Sequence, residues 1–200
     1  MGEQIWNFVR NNLVQWLALC LSVANLILYL RTMRKEQVKL KIKQIEPENT
    51  AYYFPYVWFE KISCMFFKIS IDNISKSETS ISNITAIDSC GNEFSPKMFE
   101  RHLPLSKGDK LLIHQVGDKD RAYSYELASE NLLNNLRVLS YGNISGFLYF
   151  ENVGTLSKDS EPLTLIIDTP SKQFEQEIVI KKLPSNMFPV DGNPSHQRFD

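Results

Sequence analysis

The side chains in this sequence that could do chemistry are few and scattered. His102, His114 and His196 lie far apart, and none has a cysteine, a second histidine or a carboxylate at the spacing a metal site needs. Asp118-Lys119-Asp120 alternates two carboxylates, which suits a hard cation, but the lysine between them and the missing further ligands make it a solvated loop. There is no phosphate-cradling glycine loop, no strained nucleophile turn and no paired zinc histidines. With eight glycines in 200 residues, backbone cradles are poorly supplied. The expectation is a non-enzymatic protein with no cofactor and no metal. The densest unusual chemistry is aromatic: Tyr52, Tyr53, Phe54, Pro55, Tyr56 and Trp58 form a cluster that reads as a binding face, as a membrane-dipping loop, or as packing across the open end of a β-sandwich.

The cysteines point the same way. Cys20, Cys64 and Cys90 are odd in number and lack a paired spacing, so neither a disulfide framework nor a zinc site is expected.

Leu13 to Leu30 reads LVQWLALCLSVANLILYL, eighteen residues without a formal charge. As a helix it spans about 27 Å, the thickness of a bilayer's hydrocarbon core. Trp16 and Tyr29 sit near its ends, where interfacial aromatics belong. Gln15, Ala18, Ser22 and Asn25 recur at spacings of three and four, giving a polar and small-residue stripe about 80° wide. Ala18 and Ser22 permit close helix approach, and Gln15 and Asn25 can hydrogen-bond across an interface that lipid cannot satisfy. The stripe therefore predicts association with a second copy or with another membrane protein.

Arg31, Arg34, Lys35, Lys39, Lys41 and Lys43 follow the apolar run against Glu36 alone, a local charge of +5. Basic flanks orient a first helix toward the cytoplasm, so the N-terminus is expected outside and the remaining chain inside, at the cell membrane. Three glycosylation-type triplets, at Asn73, Asn83 and Asn143, argue for the opposite side. The overall charge is −1, so residues from Glu46 onward sum to −6. A domain of that sign repels phosphate backbones and anionic lipid through its general field, and it is not expected to bind nucleic acid.

Beyond the helix the hydrophobic period falls to two. Val38, Leu40 and Ile42 alternate with Lys39, Lys41 and Lys43, and Met65, Phe67, Ile69 and Ile71 alternate in a second strand. Asp72 to Glu78 and Gly91-Asn92 are turn sequences, and Lys110 to Gln115 is a further apolar cluster. Phe147 to Glu151, Leu163 to Asp168 and Phe174 to Lys181 are strands, the last two joined by a hairpin over Thr169 to Lys172. Ser129 to Leu136 predicts a short helix with a serine cap.

The expected fold is mainly β: a transmembrane helix in residues 1–36 with its core at 13–30, an antiparallel immunoglobulin-like sandwich over 37–183 with one short helix, and a flexible tail over 184–200. The pieces FKISIDNISKSETSISNITAID, NLRVLSYGNISGFLYFENV and LTLIIDTPSKQFEQEIVI resemble uncharacterised bacterial single-pass membrane-anchored proteins with a small immunoglobulin-like β-sandwich. The resemblance covers about two thirds of the part beyond the helix, and it implies an anchored sandwich without carrying any catalytic residue. By elimination the function expected is a protein-interaction module held at the inner membrane face. The second expectation is an oligomeric membrane effector or sensor whose helix assembles through the polar stripe.

Overall fold

The structure, a computed structural model, describes residues 2–56, 62–99, 110–116, 121–153 and 159–189. Helix α1 (Gly2–Glu36) is continuous and contains the apolar stretch Asn12–Met33, none of which is buried. That stretch is long and apolar enough to cross a membrane.

The rest is built from β1 (Leu40–Gln44), the single turn α2 (Pro47–Thr50), β2 (Tyr52–Tyr56) and the long β3 (Ile62–Asn73), followed by β4 (Thr79–Ser80), β5 (Asn83–Ile87) and β6 (Glu93–Phe94). Then come β7 (Leu111–Gln115), β8 (Arg121–Tyr125), β9 (Arg137–Val138), β10 (Asn143–Glu151), β11 (Ser160–Asp168), β12 (Gln173–Lys182) and β13 (Met187–Pro189). The fold is mainly β and mostly antiparallel, as the period-two pattern predicts.

β1 and β2 are two pieces of one interrupted strand along the same side of β3. Leu40 to Gln44 pair with Asn73 to Ile69, and Tyr52 to Tyr56 pair with Phe66 to Ile62. Between them the chain loops out through α2, starting at Glu46, whose φ of 41° turns it off the sheet. β10 pairs with the other side of β3, from Asn143↔Asp72 to Glu151↔Cys64. β2 also runs parallel to β12 at Lys181↔Tyr52 and Lys182↔Tyr53, so it joins the β1-β3-β10 part to the order β12-β11-β5-β6.

One core fills the space between these two parts. Met65, Phe67, Ile69 and Ile71 of β3 and Leu148 and Phe150 of β10 pack with Leu163, Leu165 and Ile167 of β11 and Ile178 and Ile180 of β12. Phe67 and Phe150 stack with centroids 5.4 Å apart. The arrangement is sandwich-like, with the two parts continuous through β2.

A second core lies on the opposite face of the same two strands. Cys64 and Phe66 of β3 and Phe147 and Tyr149 of β10 pack with Leu111 and Ile113 of β7, Tyr125 of β8, and Leu127. β13-β7-β8 form a separate three-stranded sheet that supplies this layer. The two-layer expectation is therefore extended to three layers. The cause is visible in the runs CMFF and FLYF, which are apolar at every position because both faces of β3 and β10 are covered.

Two expected elements differ. Residues 129–136 form only a 3-10 turn, Leu132–Asn134, capped by Asn131, whose Oδ1 accepts from the Leu133 N–H at 2.9 Å. A carbonyl that a longer helix would need is taken elsewhere: Glu130 O accepts from Phe147 N at 2.7 Å. Within the expected tail, Met187–Pro189 is strand β13, paired with His114 and its neighbours on β7. Residues 190–200 lie outside the described residues.

The strand β10 presses against residues 130–132 at Gly146. A Cβ there would lie 2.6 Å from Glu130 O and 2.8 Å from Leu132 N, both backbone atoms that cannot swing away. Gly146→Ala is expected to destabilise the fold by about 2 kcal/mol, the scale of an overpacked site, read as a lower urea midpoint with an unchanged slope.

Candidate functional site

The residues singled out from the sequence fall in three places. Gln15, Ala18, Ser22 and Asn25 share one side of the unbroken helix α1. Arg31 is exposed near its end, while the side chains of Arg34 and Lys35 are outside the described residues. Lys39, Lys41 and Lys43 point to solvent beside buried Ile42, with Lys43 Nζ 3.1 Å from Asp72 Oδ2. The hydrogen bond from Asn143, with that from Lys43, holds the Asp72 carboxyl below its usual range.

The aromatic cluster does not form an exposed loop where it is described. Tyr52 is buried in the second core and Tyr53 in the first, because successive residues of β2 face opposite layers. The Tyr52 hydroxyl donates to Glu48 O at 2.8 Å, and burial pushes its pKa up. The side chains of Phe54 and Tyr56 and all of Trp58 lie outside the described residues, as do His102, His196 and Asp118 to Asp120.

Cys64, Tyr149, Glu151 and Lys97 form a buried-to-surface chain. Cys64 Sγ is 3.3 Å from the Tyr149 hydroxyl, which donates to Glu151 Oε1 at 3.3 Å, and Glu151 Oε2 meets Lys97 Nζ at 2.9 Å. Burial pushes the Cys64 thiol up to about 11, so at neutral pH it is protonated and unsuited to nucleophilic attack. All three cysteines are thiols, and Cys20 and Cys90 are the exposed ones. Among the described residues no group of three histidines, cysteines or carboxylates could hold a metal ion.

A groove that the sequence did not reveal opens where α2 leaves the sheet. It is about 400 Å³ and is lined by Asn49, Tyr123, Tyr125, Glu126, Glu130 and Phe147, among others. Lys68 Nζ lies 2.5 Å from Glu130 Oε2 and 4.9 Å above the Phe147 ring, which neutralises its charge locally. The walls offer hydroxyls, carboxylates and ring faces.

No family model matches this chain, and no curated protein does. Among solved structures it is similar to the X-ray structure of a Northeast Structural Genomics Consortium target, with a TM-score of 0.28 and 9% identity over 82% of this chain and 91% of that one. It is also similar to a family 123 glycoside hydrolase from Clostridium perfringens, with a TM-score of 0.33 and 8% identity over 74% of this chain and 27% of that enzyme. Overlaps this loose carry no argument about fold or activity.

The end of the domain that joins α1 carries a buried polar network. Asn73 is 2% exposed, and its side-chain amide donates to Ser77 O at 2.8 Å and Leu139 O at 3.0 Å. Its Oδ1 accepts from Ser75 N at 3.0 Å and from Ser75 Oγ at 2.6 Å. Asn73 thus belongs to the structure's interior and is closed to glycosylation in the folded state, whereas Asn83 and Asn143 are exposed. This network draws together the turns 73–78 and 139–142 beside Lys39, whose carbonyl accepts from Ile74 N at 2.9 Å.

Proposed function

We propose that this chain is a single-pass membrane protein whose helix holds the β domain at the cytoplasmic face as a non-enzymatic protein-interaction module. The observation that carries the reading is α1, whose apolar stretch Asn12–Met33 is exposed along its whole length and finds no cover from the β domain. A helix of this composition left in water would expose far more apolar surface than a soluble monomer carries. The basic flank at Arg31, Arg34 and Lys35 supports the orientation, and so do cysteines kept as thiols and the burial of Asn73. The immunoglobulin-like reading draws support from the interrupted first strand, whose second piece pairs parallel to β12. Binding would fall to the loops and to the groove beside α2.

Native Cys90, exposed in the β5–β6 turn, makes the test direct. On intact cells a membrane-impermeant maleimide is expected to leave it unlabelled and to label it after lysis, while Cys64 stays unmodified in both because it is buried and protonated. Labelling of Cys90 on intact cells would put the domain outside and reverse the orientation.

The oligomeric effector reading is favoured by one feature, the stripe of Gln15, Ala18, Ser22 and Asn25 on an uninterrupted helix. Replacing Gln15 and Asn25 together with leucine is expected to weaken self-association in detergent by about 2 kcal/mol, roughly thirty-fold in dissociation constant. Sedimentation showing the same monomeric state before and after the substitutions would remove this second reading.

A further inference from the structure

The apolar stretch of α1 ends at Met33, and the sheet begins at Leu40. Three more helical residues and the three of Gln37 to Lys39 place the carbonyl of Lys39 at most about 15 Å beyond the apolar end. The polar interfacial layer is about 5 to 8 Å deep on each side, so a linker this short lets that end of the domain reach the layer without fixing it there. Ile74 is hydrogen-bonded to that carbonyl, and Tyr141 N donates to Ser75 O at 3.2 Å, so the turns 73–78 and 139–142 are held at the same height as the linker.

These turns present apolar tips. Ile74 is 56% exposed, Leu139 57% and Tyr141 68%. Single exposed apolar residues are ordinary, but here three occur on two turns that one hydrogen-bond network ties together. Tyr141 also stands at φ 53°, a left-handed conformation unusual for a bulky residue, and its ring is presented outward. The charges around the tips suit anionic headgroups. Lys39 and Lys76 are exposed, and Lys172 belongs to the β11–β12 turn, whose Pro170 and Ser171 share a groove with Val38 of the linker. Two nearby acids are paired with cations, Glu78 with Arg137 at 2.9 Å and Asp72 with Lys43, so Lys39, Lys76 and Lys172 stand against Asp168. This end is therefore basic although the chain from Glu46 onward is acidic.

We infer that the domain does not hang freely from its helix but seats directly on the anionic lipid surface, with Ile74, Leu139 and Tyr141 entering the headgroup layer and Lys39, Lys76 and Lys172 meeting its phosphates. The inference rests on the membrane-anchor reading. It fixes the domain's orientation, because β5 leads away from this end and puts the β5–β6 turn with Cys90 at the far end.

Three environment-sensitive fluorophore reporters separate the two claims in the full-length protein, each attached in detergent before reconstitution into phosphatidylcholine and phosphatidylglycerol vesicles. One is native Cys20 in Cys90→Ser, one is native Cys90 in Cys20→Ser, and one is Leu139→Cys with both exposed cysteines replaced by serine. The expected result is quenching of the Cys20 reporter by acyl-chain nitroxide lipids, blue-shifted emission and quenching of the Leu139→Cys reporter by headgroup nitroxide lipids, and neither effect at Cys90. Adding Ile74→Ser and Tyr141→Ser, both at exposed sites, is expected to remove most of the quenching at Leu139→Cys without changing the melting of the β domain in detergent. If the Leu139→Cys reporter behaves like the Cys90 reporter while Cys20 is quenched, the anchor stands and the seating is wrong. Unchanged quenching in the serine variant likewise overturns the seating, and an unquenched Cys20 reporter overturns the anchor and the seating together.

Discussion

Phe66→Ala is expected to destabilise the β domain by about 4 kcal/mol, the cost of removing a fully buried phenylalanine. In a two-layer sandwich the residues alternating with Met65 and Phe67 would face solvent, and Phe66 would tolerate alanine at well under 1 kcal/mol. Here Phe66 is fully buried against Tyr125, with ring centroids 4.9 Å apart, and against Phe147 at 6.1 Å. Both partners belong to the second core, so the substitution opens a cavity between β3 and the β13-β7-β8 sheet. Urea unfolding of the detergent-solubilised chain, followed by circular dichroism in the sheet region, measures it. A midpoint within error of the unsubstituted protein would mean that the third layer does not pack as described. Phe67→Ala, in the first core, should cost a similar amount, because both faces of β3 are buried. The loss is a large share of a typical domain's 5 to 15 kcal/mol, so either variant should also show reduced abundance in cells, about several-fold.

Asn73→Ala is expected to cost about 3 kcal/mol. The amide and carbonyl of this buried side chain satisfy two backbone carbonyls, one backbone N–H and the Ser75 hydroxyl. Alanine leaves those groups without partners in a site closed to bulk water, at about 1 to 3 kcal/mol for each that stays unsatisfied. Asn73→Asp should be no better, since a carboxylate would set an acceptor against the carbonyls of Ser77 and Leu139. Asn83→Ala is the matched control: the same residue type, in the same kind of triplet, but exposed, and its substitution is expected to change stability by no more than about 0.5 kcal/mol. Equal effects at the two positions would sink the assignment of Asn73 as the brace of the helix-proximal turns.

Much of the architecture is legible in the chain because it is local. The uncharged stretch inside α1, the lysines alternating with Leu40 and Ile42, and the hairpin at Thr169 to Lys172 all follow from periodicity and turn residues. The Thr169 hydroxyl accepts from Lys172 N at 3.1 Å and donates to Lys172 O at 2.7 Å, closing that turn with its own side chain. Gly91, at φ 86°, sits where the Gly-Asn pair predicted a tight turn, and Asp88 Oδ1 accepts from the N–H groups of Cys90 and Asn92. The polar stripe on α1 was equally readable, since helical geometry alone puts Gln15, Ala18, Ser22 and Asn25 on one side.

What the chain alone could not decide is who covers whom. Runs such as CMFF state that both faces of a strand avoid water but not which distant segment shields each face. The pairing of Met187 to Pro189 with residues 113–115, more than seventy positions earlier, left no local mark. Tyr52 and Tyr53 fit both a binding face and packing across the sandwich end, because aromatic density is the same whether the rings face a partner or two separate cores. The helix expected at 129–136 yields where the Glu130 carbonyl takes its partner from β10, a tertiary contact that propensity does not record. Asn73 read as a glycosylation triplet until the fold buried it. Local spacing thus determined the helix, its polar face, the strand period and the turns, whereas the third layer, the groove beside α2 and the tied turns bearing Ile74, Leu139 and Tyr141 came into being only when segments far apart in sequence were brought together, because burial is a property of the neighbours a residue acquires.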